Sequence, residues 1–90
     1  IVKFLLYETQ IKRLRDTGDI NARQYAILTQ LLAHGEPNAL SNLRKAPWYE
    51  ALYIKRGDKT RQRDLRKLRE RNLVFLDANG HLWPSFLKSE

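Results

Sequence analysis

The sequence predicts a mainly α-helical fold with a small β-hairpin. Apolar residues recur at helical spacing in several segments, and an Asn-Gly pair near the C-terminus separates two short apolar runs. The chain has 90 residues, of which 42% are hydrophobic, and this is enough for one thin core. We therefore expect one small domain, not two.

Residues 1–16 have the pattern of an amphipathic helix. One face of a 3.6-residue period carries Phe4, Tyr7, Ile11 and Leu14. The segment Thr17-Gly18-Asp19 interrupts this pattern. We take residues 1–19 as an N-terminal connecting helix and residues 20–90 as the main domain. The apolar stripe is expected to pack on the next helix, on a parent domain or on a second copy.

A second helix is predicted over Ala22–His34. Asn21 is a favourable N-cap, and Gln24 lies three residues further on, as a capping box requires. The side chains expected on its buried face are Tyr25, Ala26, Leu28, Leu31 and Leu32. Gly35 is a suitable C-terminal stop, and a turn is expected at Glu36-Pro37-Asn38.

The middle of the chain is less regular. Residues 39–45 fit either a short helix or a brief extended segment. Pro47 suits the first turn of a helix, so we predict a short helix over Pro47–Tyr53. Its apolar spacing predicts three buried side chains, Trp48, Ala51 and Leu52. Residues 54–57 then turn the chain.

A basic helix follows, predicted over Lys59–Arg71 with Asp58 as its N-cap. Its strong apolar residues are Leu65 and Leu68, and Asn72 tolerates the left-handed conformation that ends many helices.

A β-hairpin ends the predicted fold. Residues 73–76 form its first strand, Asp77-Ala78-Asn79-Gly80 its turn, and residues 81–83 its second strand, which Pro84 ends. The complete order is that of a winged helix-turn-helix domain, with a three-helix core and a wing, preceded by an extra N-terminal helix.

The positive charge is concentrated in one segment. The chain has 17 Lys and Arg residues against 10 Asp and Glu, a net charge of +7. Residues 55–71 contain nine basic and three acidic residues, so this segment alone carries +6. A focused basic stripe favours a nucleic-acid partner, although runs of this kind also occur on solvated helix faces.

In a helix-turn-helix the second helix enters the major groove, and its outer side contacts phosphates and base edges. On a helical wheel of residues 59–72, one side carries Leu65, Leu68, Asn72 and Arg61. The opposite side carries the predicted DNA contacts Lys59, Arg63, Arg66 and Lys67. Arg61 lies on the core-facing edge, so its stem has to run along apolar surface toward water.

Two further sets of residues are candidate DNA contacts. Thr60 and Gln62 lie near the N-terminus of the basic helix, where backbone amides and the helix dipole favour a phosphate. The wing tip is expected to reach the adjacent minor groove or backbone with its residues Asn79, Gly80 and His81. It has no Lys or Arg, so we expect a small contribution from it.

Three motifs resemble known bacterial domains. The segment from Thr60 to Leu68, followed by Asn72-Leu73-Val74, resembles the T-x-x-R-D-L-x-x-L…G-L-[LIV] recognition helix of DeoR-like winged-helix repressors. Most of the chain resembles the C-terminal winged-helix region of bacterial Fic-family proteins, which has an N-x-R-Q helix start and a P-W-[YF]-x-A-L-Y stretch. Here these elements are Asn21–Gln24 and Pro47–Tyr53.

The resemblance implies an accessory domain for DNA binding and transcription regulation, joined to a Fic core that transfers AMP from ATP to a target hydroxyl. The H-x-F-x-[DE]-G-N-G-R loop of that core does not occur in this sequence. The sequence also departs from the family at the basic helix. Gly57-Asp58 stands where Ser is usual, and Arg61 stands where a small apolar residue is usual.

Several functions are disfavoured by composition. The chain has no cysteine and only two histidines, 47 positions apart, so we expect no catalytic residue, cofactor or metal. The longest apolar run is far too short to span a membrane. We therefore expect a cytoplasmic DNA-binding module that is a piece of a larger protein. The alternative is a protein-interaction or dimerisation module that positions a parent enzyme or its target without binding DNA.

Overall fold

The computed structural model describes residues 2–34 and 38–87, without the side chains of His34 and Asn38. Its α-helices are α1 (Val2–Thr17), α2 (Ala22–His34), α3 (Leu40–Lys45), α4 (Pro47–Leu52) and α5 (Asp58–Glu70). Its strands are β1 (Asn38–Ala39), β2 (Val74–Leu76) and β3 (His81–Pro84), and a 3₁₀ turn covers Ser85–Leu87. The prediction of a mainly helical fold with a small hairpin is confirmed. The helix stop at Gly35 and the first two residues of the predicted turn, Glu36 and Pro37, lie outside the described residues. Asn38, the last residue of that predicted turn, lies in β1 instead.

The strands form an antiparallel sheet with β3 in the centre, in the order β1-β3-β2. β3 pairs with β2 through Leu76↔Leu82 and with β1 through Asn38↔Leu82. The segment that the sequence left open is therefore extended at its start and helical from Leu40. The two-residue strand β1 connects the region after α2 to the hairpin.

α1 belongs to the same core as the rest of the domain. The predicted stripe faces inward, with Tyr7 and Ile11 buried and Phe4 and Leu14 half-buried. The Tyr7 hydroxyl donates a hydrogen bond to the carbonyl oxygen of Leu73. Helix α1 packs on α2 and on the 3₁₀ turn, so the first of the three expected partners for this stripe is confirmed.

α2 begins where the capping pattern predicts. The Asn21 amide N–H donates to Gln24 Oε1 at 2.8 Å, and the Gln24 amide N–H donates to Asn21 Oδ1 at 2.8 Å. This reciprocal pair is a capping box, and it satisfies two amides that a helix start leaves without partners. Leu28 and Leu31 are fully buried as predicted, together with Ile27.

The predicted inner face of α4 is wrong. Ala51 is exposed and Trp48 and Leu52 are only half-buried, whereas Tyr49 and Tyr53 are buried. The two tyrosines are four residues apart, which places them on one face of a helical turn, and their ring centroids lie 5.3 Å apart. Burial of their large rings orients the helix, because they remove more apolar surface from water than Ala51 and Leu52 would.

The predicted ends of α5 also need correction. The helix starts at Asp58, and its N-cap is Gly57, without a side-chain cap. It ends at Glu70 rather than at Arg71. Asn72 has a φ of 59°, which confirms the left-handed turn, but its side chain is exposed rather than on the core side.

The hairpin is closed by a tight turn. The Gly80 amide donates to the Asp77 carbonyl at 3.1 Å, and the Asp77 amide donates to the His81 carbonyl at 3.0 Å. Gly80 has a φ of 79°, a conformation that favours glycine. Across the two strands, the rings of Phe75 and Trp83 stack with centroids 5.7 Å apart and an interplanar angle of 10°.

Candidate nucleic-acid interface

The inner face of α5 is held by two leucines and one acid. Leu65 and Leu68 belong to the hydrophobic core, and Asp64 beside them is 2% exposed. Asp64 is four residues before Leu68, so a helical period places it on the same face. The acid in the middle of the basic helix is therefore turned away from solvent.

Asp64 is hydrogen-bonded by three side chains from two other segments. Arg23 donates from Nε to Oδ2 at 2.8 Å and from Nη2 to Oδ1 at 3.3 Å. Tyr53 Oη donates to Oδ2 at 2.7 Å, and Asn21 Nδ2 donates to Oδ1 at 3.1 Å. The backbone carbonyl of Asp64 accepts a further bond from Gln24 Nε2 at 3.2 Å. We call this set of five residues the Asp64 cluster.

The Asp64 cluster keeps this buried acid ionised. Burial by itself would raise the pKa of Asp64, but hydrogen bonds from Arg23, Tyr53 and Asn21 outweigh burial, so the pKa lies below its usual value. Burial raises the pKa of Tyr53, and the hydrogen bond to Asp64 raises it further. The cluster therefore pairs a carboxylate with a guanidinium and a neutral phenol.

The Asp64 cluster joins all three sequence motifs that resemble known domains. Asn21, Arg23 and Gln24 come from the N-x-R-Q start of α2, and Asp64 comes from the R-D-L segment of α5. Tyr53 is the last residue of the P-W-[YF]-x-A-L-Y stretch. Sequence reasoning counted Asp64 only as a negative charge. The i, i+4 relation to Leu68 was the available signal that it faces the core.

Arg61 is also drawn inward. Its guanidinium carbon lies 5.4 Å from the ring centroid of Tyr49 and 5.3 Å from that of Tyr53. Its Nη1 lies 3.8 Å from Asp58 Oδ1, and its side chain is 23% exposed. The predicted core-facing position is confirmed: the guanidinium lies against the two rings, and its buried Nε has no hydrogen-bond partner among the described residues. Arg61 does not belong to the outward basic face.

The outward face of α5 carries the predicted contact residues. Those exposed to solvent are Lys59, Gln62, Arg63, Arg66 and Lys67, while Thr60 is half-buried near the helix start. Arg66 Nε lies 3.7 Å from Glu70 Oε1, and both side chains are about two-thirds exposed. Within residues 2–34 and 38–87, no ion pair is found for Lys59, Arg63 or Lys67. Most cations of this face are thus available to an external anion.

The hairpin tip is organised by one carboxylate. Asp77 accepts hydrogen bonds from the backbone amides of Asn79 and His81, each at 2.9 Å, and from Trp83 Nε1 at 2.8 Å. The bond from Trp83 and those from the two amides lower the pKa of Asp77. The predicted tip residues Asn79 and Gly80 therefore lie in a defined turn, and His81 begins β3; of these three residues only Asn79 is exposed.

A metal-type cluster and a membrane-spanning helix are both absent from the described residues. Within residues 2–34 and 38–87, no three His, Cys, Asp or Glu side chains are grouped so as to hold a metal ion. None of the helices described combines the length and the apolar character needed to cross a membrane.

Comparisons with protein families, with curated proteins and with solved structures find no match for this chain.

Proposed function

We propose that this chain is a winged helix-turn-helix DNA-binding domain with α5 as its recognition helix. In this assignment α2 is the first core helix, α3 and α4 form the second, and α5 is the third. The hairpin of β2 and β3 is the wing, and β1 completes its sheet. The order of these elements and the central position of β3 support the assignment.

The orientation of α5 is the observation that carries the proposal. A helix that reads DNA has to bury one side in its own domain and present donors on the other. Asp64 is buried and hydrogen-bonded by Arg23 and Tyr53, so the inner side of α5 is firmly attached. The opposite side is left with four exposed cations and a single acid, Glu70.

The expected affinity follows from the charge of this face. If Lys59, Arg63, Arg66 and Lys67 each neutralise one phosphate, the log–log salt slope is about −3.6. A fourfold increase in salt, from 50 to 200 mM, then weakens binding roughly 150-fold. The planar guanidinium of Arg63 lies at the centre of this face and is suited to guanine O6 and N7.

Fluorescence anisotropy with a labelled mixed-sequence duplex tests the proposal. We expect the wild-type chain to bind at 50 mM salt with a slope at least as steep as the value given above. The double variant Arg63→Glu/Arg66→Glu should bind at least about tenfold more weakly, because it places two negative charges against the phosphates. The absence of any binding by the wild type at 50 mM salt would refute the proposal.

A matched control separates local contact from net charge. Lys12 and Arg13 are exposed on α1, and Lys12→Glu/Arg13→Glu changes the net charge by the same amount. We expect this control to lose much less affinity than the α5 variant. Equal losses in the two variants would show that net charge alone, not the outward face of α5, drives binding.

A protein-interaction or dimerisation module is the second candidate, and one observation favours it. Val2, Leu5 and Leu6 on α1 are 70%, 53% and 66% exposed, on the side of the helix away from the core. Light scattering over a concentration series tests self-association. A dimer that Leu5→Gln/Leu6→Gln returns to monomer would support this candidate, and a wild-type monomer at all concentrations would exclude self-association.

Membership of the Fic family is a separate proposal that rests on the three motifs. It implies a cytoplasmic parent protein with an AMP-transferring domain in the same chain. The sequence of the full gene tests it directly. An H-x-F-x-[DE]-G-N-G-R loop upstream would support the family, and its absence would contradict it without affecting the DNA-binding proposal.

A further inference from the structure

We propose that a phosphate of the DNA backbone binds in a groove between the C-terminal half of α5 and β2, held by Arg69 together with Arg66. This inference rests on the proposed DNA-binding function and adds Arg69 to the interface. Sequence reasoning did not select Arg69. The groove also places the hairpin beside the DNA strand without requiring a cation on the hairpin itself.

The groove has two walls of different character. One wall consists of side chains of α5, namely Arg66, Arg69 and Glu70, and the other consists of β2 with Asn72 at the junction. Its volume is about 400 Å³, and it is open to solvent.

Arg66 connects the groove to the outward face of α5. It is exposed on that face with Lys59 and Arg63, and it also lines the groove. A DNA strand that passes along the outward face therefore continues past Arg66 into the groove. The two surfaces form one continuous path for a polyanion.

The charges in the groove favour an anion. Arg69 is exposed, and no ion pair involving it occurs in the described part of the chain. Arg66 contacts Glu70 at 3.7 Å in a solvent-exposed pair, which contributes little energy and is readily exchanged for a phosphate. Two guanidiniums against one carboxylate leave a net positive groove.

The hairpin tip has no cation of its own to neutralise a phosphate, so the cations of the groove have to supply the positive charge. The tip has no Lys or Arg, and the Asp77 carboxylate lies directly behind its backbone amides. A phosphate next to the hairpin therefore has to be neutralised from α5. Arg69 and Arg66 are the α5 cations that line the groove against β2.

The competing explanation for Arg69 is structural. It lies in the last turn of α5, where a cation interacts favourably with the helix dipole. Both explanations predict some loss of stability when the charge is removed, whereas only phosphate binding changes the salt dependence of DNA affinity. The test therefore measures affinity at several salt concentrations under conditions where all variants are folded.

The first comparison is Arg69→Gln against Arg13→Gln, an exposed arginine on α1. With the same duplex, Arg69→Gln should weaken binding about threefold or more and make the salt slope shallower by about 0.9. Arg13→Gln should leave the slope unchanged. Equal behaviour of the two variants, with the wild type binding DNA, would overturn this inference alone. Failure of the wild type to bind would overturn the inference and the proposed function together.

The second comparison is a gain of affinity, which a misfolded variant cannot imitate. Glu70→Gln removes the acid from the groove and releases Arg66, so it should strengthen binding about twofold or more. Asp16→Asn makes the same charge change on α1, where the Asp16 side chain is 68% exposed, and should have a smaller effect. A Glu70→Gln variant that binds no better than Asp16→Asn would contradict a phosphate in the groove.

Discussion

Replacement of Asp64 by Asn tests how the recognition helix is held in place. The substitution keeps the size of the side chain but removes its charge and turns one acceptor oxygen into a donor. In the wild type the two carboxylate oxygens accept bonds from Asn21, Arg23 and Tyr53. An asparagine has one acceptor oxygen and so cannot accept all of these bonds. Because it is also neutral, Arg23 loses its counter-charge.

The expected cost follows from the burial of the partners. Removal of one partner from a buried ion pair costs about 3–5 kcal/mol, because the other charge is left uncompensated. The Arg23 side chain is 22% exposed and regains some solvation, so we expect the lower end, about 3 kcal/mol. A chain of 90 residues has a total stability of roughly 5–13 kcal/mol. The loss should therefore lower Tm by roughly 12–24 °C.

Acid provides a second signature of the same carboxylate. The pKa of Asp64 is lower in the folded protein than in the unfolded chain, so folding is favoured by its ionised form. This contribution is present above the unfolded pKa of about 3.9 and is lost as pH falls through the folded pKa. Wild-type stability should therefore fall more steeply below about pH 4 than that of Asp64→Asn.

Urea unfolding followed by circular dichroism at pH 7 and at acid pH measures both effects. Asp16→Asn is the matched control, because Asp16 is exposed and, among the described residues, pairs only with its neighbour Arg15. We expect this control to lie within about 0.5 kcal/mol of the wild type. An Asp64→Asn variant with wild-type stability at pH 7, and with the same acid dependence, would refute the role of the Asp64 cluster.

Three further predictions concern the N-terminus of α5 and the hairpin. Gly57 is an N-cap without a side-chain hydrogen bond, at a φ of −84° that serine also adopts. Gly57→Ser should therefore raise the free energy of unfolding, measured by urea titration, by about 0.5–1 kcal/mol, and a loss of stability would contradict this. Gly80 has a φ of 79°, and an added Cβ would meet no atom within 4 Å. Gly80→Ala should therefore lower the free energy of unfolding by about 1 kcal/mol through backbone strain alone. No change in the same urea titration would show that the turn relaxes. Asp77→Ala removes the acceptor for Trp83 Nε1 and for two backbone amides. In NMR spectra the indole N–H resonance of Trp83 should therefore shift, and its proton should exchange faster with solvent. An unchanged resonance would mean that the hairpin does not depend on this carboxylate.

Local signals predicted much of this fold. The start of α2 follows from Asn21 and Gln24, which are three residues apart and bond to each other. The hairpin follows from the turn residues before Gly80, and the left-handed Asn72 ends α5 where its residue type suggests. These features involve residues within one or two turns of each other, so a single sequence contains what is needed.

Other features depend on residues far apart in the chain. The prediction of the inner face of α4 was wrong, because whether Ala51 or Tyr49 is buried depends on which side chains the core has room for. β1 has only two residues, and its pairing with β3 spans more than forty positions. No local pattern specifies either outcome.

The sequence by itself determined that a small helical domain with a hairpin concentrates its net positive charge in residues 55–71. Periodicity, capping residues and charge positions are local properties, and they also selected the exposed residues Lys59, Arg63, Arg66 and Lys67. Only the tertiary structure decided how that helix is anchored and where its groove lies. The anchor consists of Asn21, Arg23 and Tyr53 around Asp64, contacts that span 11 to 43 positions along the chain. Such contacts form because a buried carboxylate requires partners, and only the folded chain brings those partners within hydrogen-bond distance.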